Sequence, residues 1–176
     1  IRVSLVGSEM CIRDSSTFRL AEEAQSRGHD LYVYNPNSLT FNQGKIVAKV
    51  RSITLKRKIG DHVTFGDQEI KELSEFDVIW LRQDPPFDMG YITTTHLLDM
   101  VGQETLIVNN PFWVRNLPEK LLVLEFPELI PNTLITRDLE EIKEFKREFG
   151  DIIIKPLYGN GGCLLYTSPS PRDSLE

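Results

Sequence analysis

The apolar positions of this chain alternate between helical spacing and short β-branched runs. After Ser16, a fair N-cap, Phe18, Ala21 and Ala24 recur at helical spacing, and Gly28 stops that helix at its C′ position. Leu31 to Tyr34 then reads as a strand. Residues 45–58, KIVAKVRSITLKRK, alternate weakly and carry many cations, which fits a charged edge hairpin better than a core strand. Asp77 to Arg82, DVIWLR, is the clearest central strand. Asp88 suits the N-cap of a helix over 89–100, with Ile92, His96 and Leu97 near one face. Leu106 to Val108 reads as another short parallel-type strand, followed by a short helix around Trp113 and by LPEKLLVLEF, where Pro118 is placed to start a helix.

Beyond Pro131 the pattern becomes strand, helix, strand. Thr133 to Thr136 is the first strand. Asp138, with Glu141 at capping-box spacing, opens a helix whose stripe is Leu139, Ile142, Phe145 and Phe149, and Gly150 ends it. Residues 151–155 form the second strand. Strands alternating with helices predict an α/β fold. The helix over 139–149 needs a sheet to cover, and two strands with one helix are a fragment of a domain.

Three places carry candidate chemistry. DIIIKPLYGNGG (151–162) delivers Lys155 to a strand's end before a loop in which Gly159, Gly161 and Gly162 permit turns that a Cβ would forbid. Free backbone N–H groups beside an ammonium suit polyphosphate. Asn160-Gly161 equally suits a type I′ hairpin turn, and these twelve residues alone leave both readings open. Lys120 sits in the first turn of a helix, unfavourable against the helix dipole unless an anion lies opposite. Arg82 and Asp84 flank the start of a proline-stiffened turn beyond the carboxyl end of a central strand, where open α/β sheets bind ligands. His96 has no second metal-type residue at i+4 and reads as a packed or rim histidine.

Bulk properties narrow the picture. With 176 residues, 40% apolar and 26% charged, the chain holds one domain or one and part of another. A net charge of −6 without a basic stripe argues against a nucleic-acid groove, and the cations of 45–58 lack aromatic neighbours for base stacking. No apolar run is long enough to span a bilayer. Two cysteines without a pairing pattern fit a reducing cytoplasm. The ends look foreign. IRVSLVG would suit a first strand, but SEMCIRDS does not continue it, and CLLYTSPSPRDSLE is a short apolar run before a Ser/Pro tract. Both resemble translated sequencing-library adapter, so 1–15 and 163–176 are expected to be non-native, although an apolar run pairs with an open sheet edge whatever its origin.

STFRLAEEAQSRGHDL, VIWLRQDPPFD, LIVNNP, Glu119-Lys120, PNTLITRD and DIIIKPLYGNGG, in this order across 16–162, resemble the bacterial glutathione synthetase family of ATP-grasp ligases. RQDPPFD is the specific segment, and the lysine with its glycine loop is shared across ATP-grasp enzymes. The resemblance implies a Rossmann-like pre-ATP-grasp domain over 16–118 and the truncated start of an ATP-grasp domain over 119–162. It implies that Lys120, Lys155, Gly159, Asn160, Gly161 and Gly162 bind ATP, with the glycines in a mobile loop. Arg82 and Asp84 would lie near the substrate cleft. The family reaction phosphorylates the cysteinyl carboxylate of γ-glutamylcysteine with ATP, and the glycine amine attacks the acyl phosphate. The expected cofactors are ATP and Mg2+. The family's acyl-phosphate arginines and its magnesium-binding groups are absent from 1–176, so the catalytic and metal ligands are expected outside this stretch and the chain is expected to be inactive by itself. A homo-oligomer at full length is implied, with neither nucleic acid nor membrane as partner. The family's Asp-Pro segment after the first strand is not visible in residues 1–15. A different ATP-grasp carboxylate-amine ligase and a stand-alone α/β binding module are the alternatives.

Overall fold

The computed structural model describes residues 2–6, 16–58, 60–84, 86–158 and 166–167, and the chain divides into two compact units, Ile1–Asn116 and Leu117–Glu176.

In the first unit β1 (Arg2–Val6) lies between two parallel neighbours, β2 (Asp30–Tyr34) and β6 (Val78–Leu81), with Val6 level with both Tyr34 and Leu81. Beyond β6 runs β7 (Leu106–Val108), also parallel. On the far side β4 (Lys45–Leu55) pairs antiparallel with β2, with the short β3 (Thr40–Asn42) and with β5 (Val63–Glu72), giving a seven-stranded mixed sheet. Helix α1 (Ser16–Ser26) buries Phe18, Ala21 and Ala24 against Val3, Leu31, Ile53 and Leu55. Helix α2 (Met89–Asp99) serves a second core built from Tyr34, Ile46, Ala48, Val50, Leu73, Phe76, Ile79, Leu81 and Leu98.

Strand β4 corrects the sequence reading of 45–58. It is no hairpin of its own but a central strand, and its hairpin partner is 63–72. Its core positions are even in the first half (Ile46, Ala48, Val50) and odd in the second (Ile53, Leu55), so one strand feeds both cores from opposite faces. The ladder to β5 shifts register between Arg51 and Ile53, placing the extra residue at Gly66-Asp67. A Cβ on Gly66 would meet Ser52 Oγ, so a larger residue in the bulge requires that hydroxyl to move. The cations are satisfied locally. Lys45 pairs with Glu72, Arg57 with Glu22, and Lys56 and Lys58 with Asp61. Such exposed pairs contribute ~0–1 kcal/mol each.

One side chain ties α1 to the sheet and another caps the start of α2. Gln25 of α1 donates through Nε2 to Leu55 O (3.0 Å) and accepts at Oε1 from Leu55 N (2.6 Å). Asp88 caps α2, its Oδ1 accepting from Tyr91 N at 2.9 Å. The buried face of α2 differs from the one expected. Thr94, Thr95 and Leu98 are buried, Ile92 and Leu97 half-buried, and His96 exposed. Thr94 and Thr95 donate their hydroxyls to Gly90 O and Ile92 O, so their polarity is satisfied within the helix and their methyls can enter the core. Helix α3 (Pro111–Asn116) follows β7, and its Arg115 is ion-paired with Asp99.

The second unit has a different character. Helix α4 (Glu119–Leu122) lasts a single turn before 3-10 turns over 123–125 and 127–129, so the α-helical run expected from Pro118 stops early, at Leu122. The expected strand at 133–136 is not formed. Thr133 Oγ1 bonds Pro131 O and Thr136 Oγ1 accepts from Asp138 N, so local side-chain bonds stand where a ladder would be. Helix α5 (Leu139–Phe149) forms as expected, with Asp138 Oδ1 accepting from Glu140 N at 2.8 Å. The strand expected over 151–155 narrows to β8 (Ile153–Ile154), paired antiparallel with β9 (Tyr166–Thr167). No residue described in this unit is buried.

Candidate functional site

The topology of the first unit reverses at β1 and β6. The chain leaves β1 through α1 to β2 on one side, whereas β6 leads through α2 to β7 on the other. A sheet wound outward in both directions opens a crevice at the carboxyl ends of the two strands where it reverses. Arg82, Gln83 and Asp84 leave β6 at that point.

Arg82 is half-buried and held by the first two residues of α1. Its Nε donates to Thr17 Oγ1 at 3.1 Å and an Nη to Ser16 Oγ at 2.5 Å. The guanidinium is thereby oriented before any ligand arrives, and its planar fork retains N–H donors suited to a carboxylate or phosphate. Asp84, two residues on, is exposed. Tyr91 of α2 shares their neighbourhood. Burial raises the pKa of its phenol, Arg82 opposes that shift, and the Asp84 carboxylate adds to it. The phenol therefore stays protonated at neutral pH. Its ring packs on Phe87 with centroids 4.9 Å apart.

Two buried polar atoms belong to residues at or just beyond the carboxyl ends of β2 and β6. Gln83 Oε1 and Tyr34 Oη have no hydrogen-bond partner among the described residues. Tyr34, at the end of β2, is 2% exposed, and burial drives its pKa above the ordinary phenol range. Sequence reasoning singles out Arg82 and Asp84 as candidates here and does not reach Tyr91, Tyr34 or the anchoring of Arg82 by Ser16 and Thr17. The sequence pattern assigns Ser16 only a capping role. The one available signal for Tyr91 was its place three residues after the Asp88 cap, in the turn that follows Arg82.

In the second unit Lys120 Nζ donates to Pro156 O at 2.6 Å. That bond brings Lys120 to the residue that directly follows Lys155, which is itself exposed at the end of β8. Gly159, Asn160, Gly161 and Gly162 lie outside the described residues. No group of three His, Cys, Asp or Glu side chains able to hold a metal ion occurs among the described residues. These residues do not fit a magnesium site, and no step is assigned through one. Nor is any described helix long and apolar enough to cross a membrane.

The model for "Prokaryotic glutathione synthetase, N-terminal domain" matches residues 8–115, and that for the "Prokaryotic glutathione synthetase, ATP-grasp domain" matches 119–173. A glutathione synthetase of Brucella melitensis is 55% identical over 156 residues, 89% of this chain and 50% of that protein. Those of Agrobacterium fabrum and Mesorhizobium japonicum are 53% and 50% identical over similar spans. The chain spans about half the length of the curated relatives it matches. Among solved structures, a RimK domain ATP-grasp protein from Sphaerobacter thermophilus superposes with a TM-score of 0.55 at 20% identity, over 95% of this chain and 54% of that one. The ATP-grasp ligase PsnB does so at 0.51 and 18%, over 99% and 59%. These two likenesses show the fold alone, whereas the two family models and the much higher sequence identities show the family: the chain belongs to the prokaryotic glutathione synthetase family.

Proposed function

We propose that this chain is part of a glutathione synthase, an ATP-dependent ligase that joins γ-glutamylcysteine to glycine. The observation that carries the reading is the match to both family domains in succession, with 55% identity to a glutathione synthetase across 89% of the chain. In the reaction a carboxylate oxygen of the dipeptide attacks the γ-phosphorus of ATP and ADP leaves. The glycine amine then attacks the acyl carbon, and phosphate leaves with the bonding electrons.

Each domain of the chain has a part in this. Residues 16–118 form the pre-ATP-grasp domain and present Arg82 and Asp84 to the dipeptide. Residues 119–162 open the ATP-grasp domain, in which Lys120 and Lys155 offset phosphate charge and Gly159, Asn160, Gly161 and Gly162 line the nucleotide loop. Lys120 exchanges its bond to the Pro156 carbonyl for one to nucleotide. Magnesium, if held by the whole enzyme, would supply positive charge to offset that of the phosphates, and no described residue of this chain is assigned to it. The working enzyme is a cytoplasmic homo-oligomer, and neither nucleic acid nor membrane is a partner.

The test is ADP release that depends on both γ-glutamylcysteine and glycine. The full-length gene product is expected to show it, and the 176-residue chain by itself to show none. A full-length product that binds ATP but fails to release ADP with these substrates would overturn the reading.

A further inference from the structure

The crevice at the sheet's reversal holds charges of both signs. A site for a simple anion would be weakened by Asp84, and a site for a simple cation by Arg82. Two opposite charges two residues apart, beside a phenol that remains an O–H, match a ligand that carries both signs on one carbon. The glutamyl end of γ-glutamylcysteine is such a group, with an α-carboxylate and an α-ammonium. Its cysteinyl end carries only the carboxylate that reacts.

We propose that Arg82, Asp84 and Tyr91 seat the zwitterionic α-amino-acid end of the dipeptide, the carboxylate on Arg82, the ammonium on Asp84 and the Tyr91 hydroxyl as the third polar contact. The inference rests on the ligase reading above and names which end of the substrate this crevice takes. Three features support it. The guanidinium is fixed in advance by Thr17 and Ser16, at 3.1 and 2.5 Å, so little side-chain entropy is lost when a carboxylate docks. Tyr91 is tied by its own N–H to Asp88 at 2.9 Å and by its ring to Phe87, which places the phenol on a rigid helix start. Asp84, two residues on from Arg82, is exposed, and the charges of both act on the Tyr91 phenol. If Arg82 served only to tie α1 to β6, none of the opposite-sign pairing would bear on ligand choice.

All three groups lie in the first unit, so the seat requires binding by this 176-residue chain as it stands. The experiment is an NMR titration of the 15N-labelled chain with γ-glutamylcysteine and two analogues, glutarylcysteine, which lacks the ammonium, and 4-aminobutyrylcysteine, which lacks the α-carboxylate. The dipeptide is expected to shift the Arg82 Nε–H signal and the Ser16, Thr17 and Tyr91 amides, and each analogue to bind about tenfold or more weakly. Asp84→Asn is expected to weaken the dipeptide by about tenfold and leave glutarylcysteine unchanged, and Arg82→Gln to do the same with 4-aminobutyrylcysteine as the insensitive ligand. Tyr91→Phe is expected to weaken the dipeptide by roughly threefold or more while its melting temperature stays within ~2 °C of the parent.

Absence of shifts at these signals with dipeptide up to about 20 mM overturns the proposal. So do variants that respond equally to both analogues, and so do shifts produced by ATP but not by the dipeptide. Failure of the ligase reading looks different, because it leaves zwitterion binding intact while the full-length product fails to release ADP.

Discussion

Helices α1 and α5 are both 11 residues long, and they make opposite use of an apolar stripe. The stripe of α1 is modest, Phe18, Ala21 and Ala24, yet every member is buried, Phe18 to 1% exposure. The stripe of α5 is larger and more regular, with Leu139, Ile142, Phe145 and Phe149, and no residue of it is buried. What separates them is the partner: α1 lies on a sheet that offers Val3, Leu31, Ile53 and Leu55, whereas the strand nearest α5 in sequence, β8, has two residues. An amphipathic pattern states which face seeks cover, and whether cover exists is a property of the rest of the domain.

Matched substitutions sharpen that contrast. Phe18→Ala removes a ring from the core of the first unit and is expected to cost about 3–5 kcal/mol, enough to unfold that unit at moderate temperature. Phe149→Ala is expected to stay within ~0.5 kcal/mol. Intrinsic fluorescence during urea denaturation decides it, because Trp80 and Trp113 both lie in the first unit and Trp80 packs against the core of Phe18. Equal losses from the two variants would erase the distinction.

A smaller effect is expected at Gln25. Gln25→Ala strips the Leu55 N–H and C=O of their partners at 2.6 and 3.0 Å, at a cost of about 1–3 kcal/mol to the same transition. Smaller again is a matched pair of glycines. Gly28 ends α1 at φ +78° and Gly150 ends α5 at φ +80°, each with room for a Cβ. An alanine in this left-handed region costs roughly 1–2 kcal/mol. Gly28→Ala should lower the fluorescence-detected midpoint accordingly, whereas Gly150→Ala should leave it unmoved and lower only the helical circular dichroism of α5.

Acid gives the slightest handle. In the first unit Glu22 is held below its ordinary value of 4.5 chiefly by the hydrogen bond from Arg57, Glu72 chiefly by that from Lys45, and Asp77 below 3.8 by the backbone N–H of Arg2. Groups depressed on folding contribute stability that is complete above their ordinary values and is lost as pH falls through the lowered ones. The midpoint is therefore expected to be flat from neutral pH down to about 4.5 and to fall below it, less steeply in Glu72→Gln.

Much of this was readable from local pattern. The boundaries of α1, β2, β6, β7 and α5 follow from caps, glycines and apolar runs, since each is decided by neighbours in sequence. Strand β4 was misread because its cations share one face in the first half while Ile46, Ala48 and Val50 occupy the other, and the change of buried face at Ile53 hides the period. Strand β5, with Gly66, Asp67, Gln68 and Glu69 at its middle, has little strand signal of its own and is held by its ladder to β4. The run 133–136 has β-branched residues but gains no partner strand. At the candidate site, Arg82 and Asp84 were visible as candidates from their place after a central strand. Tyr91 was not, because only the folded chain brings the start of α2 back to the end of β6.

Gln25 has a consequence for association. A side-chain amide offers one donor and one acceptor in the same relative arrangement as a peptide unit, so to Leu55 it stands in for one residue of an adjoining strand. Past the last rung to β2 at Ile53, the end of β4 would otherwise present a bare N–H and C=O to any extended segment that approached. A helix side chain thus acts as a stopper on the sheet, and Gln25→Ala would leave a sticky end as well as a weaker fold.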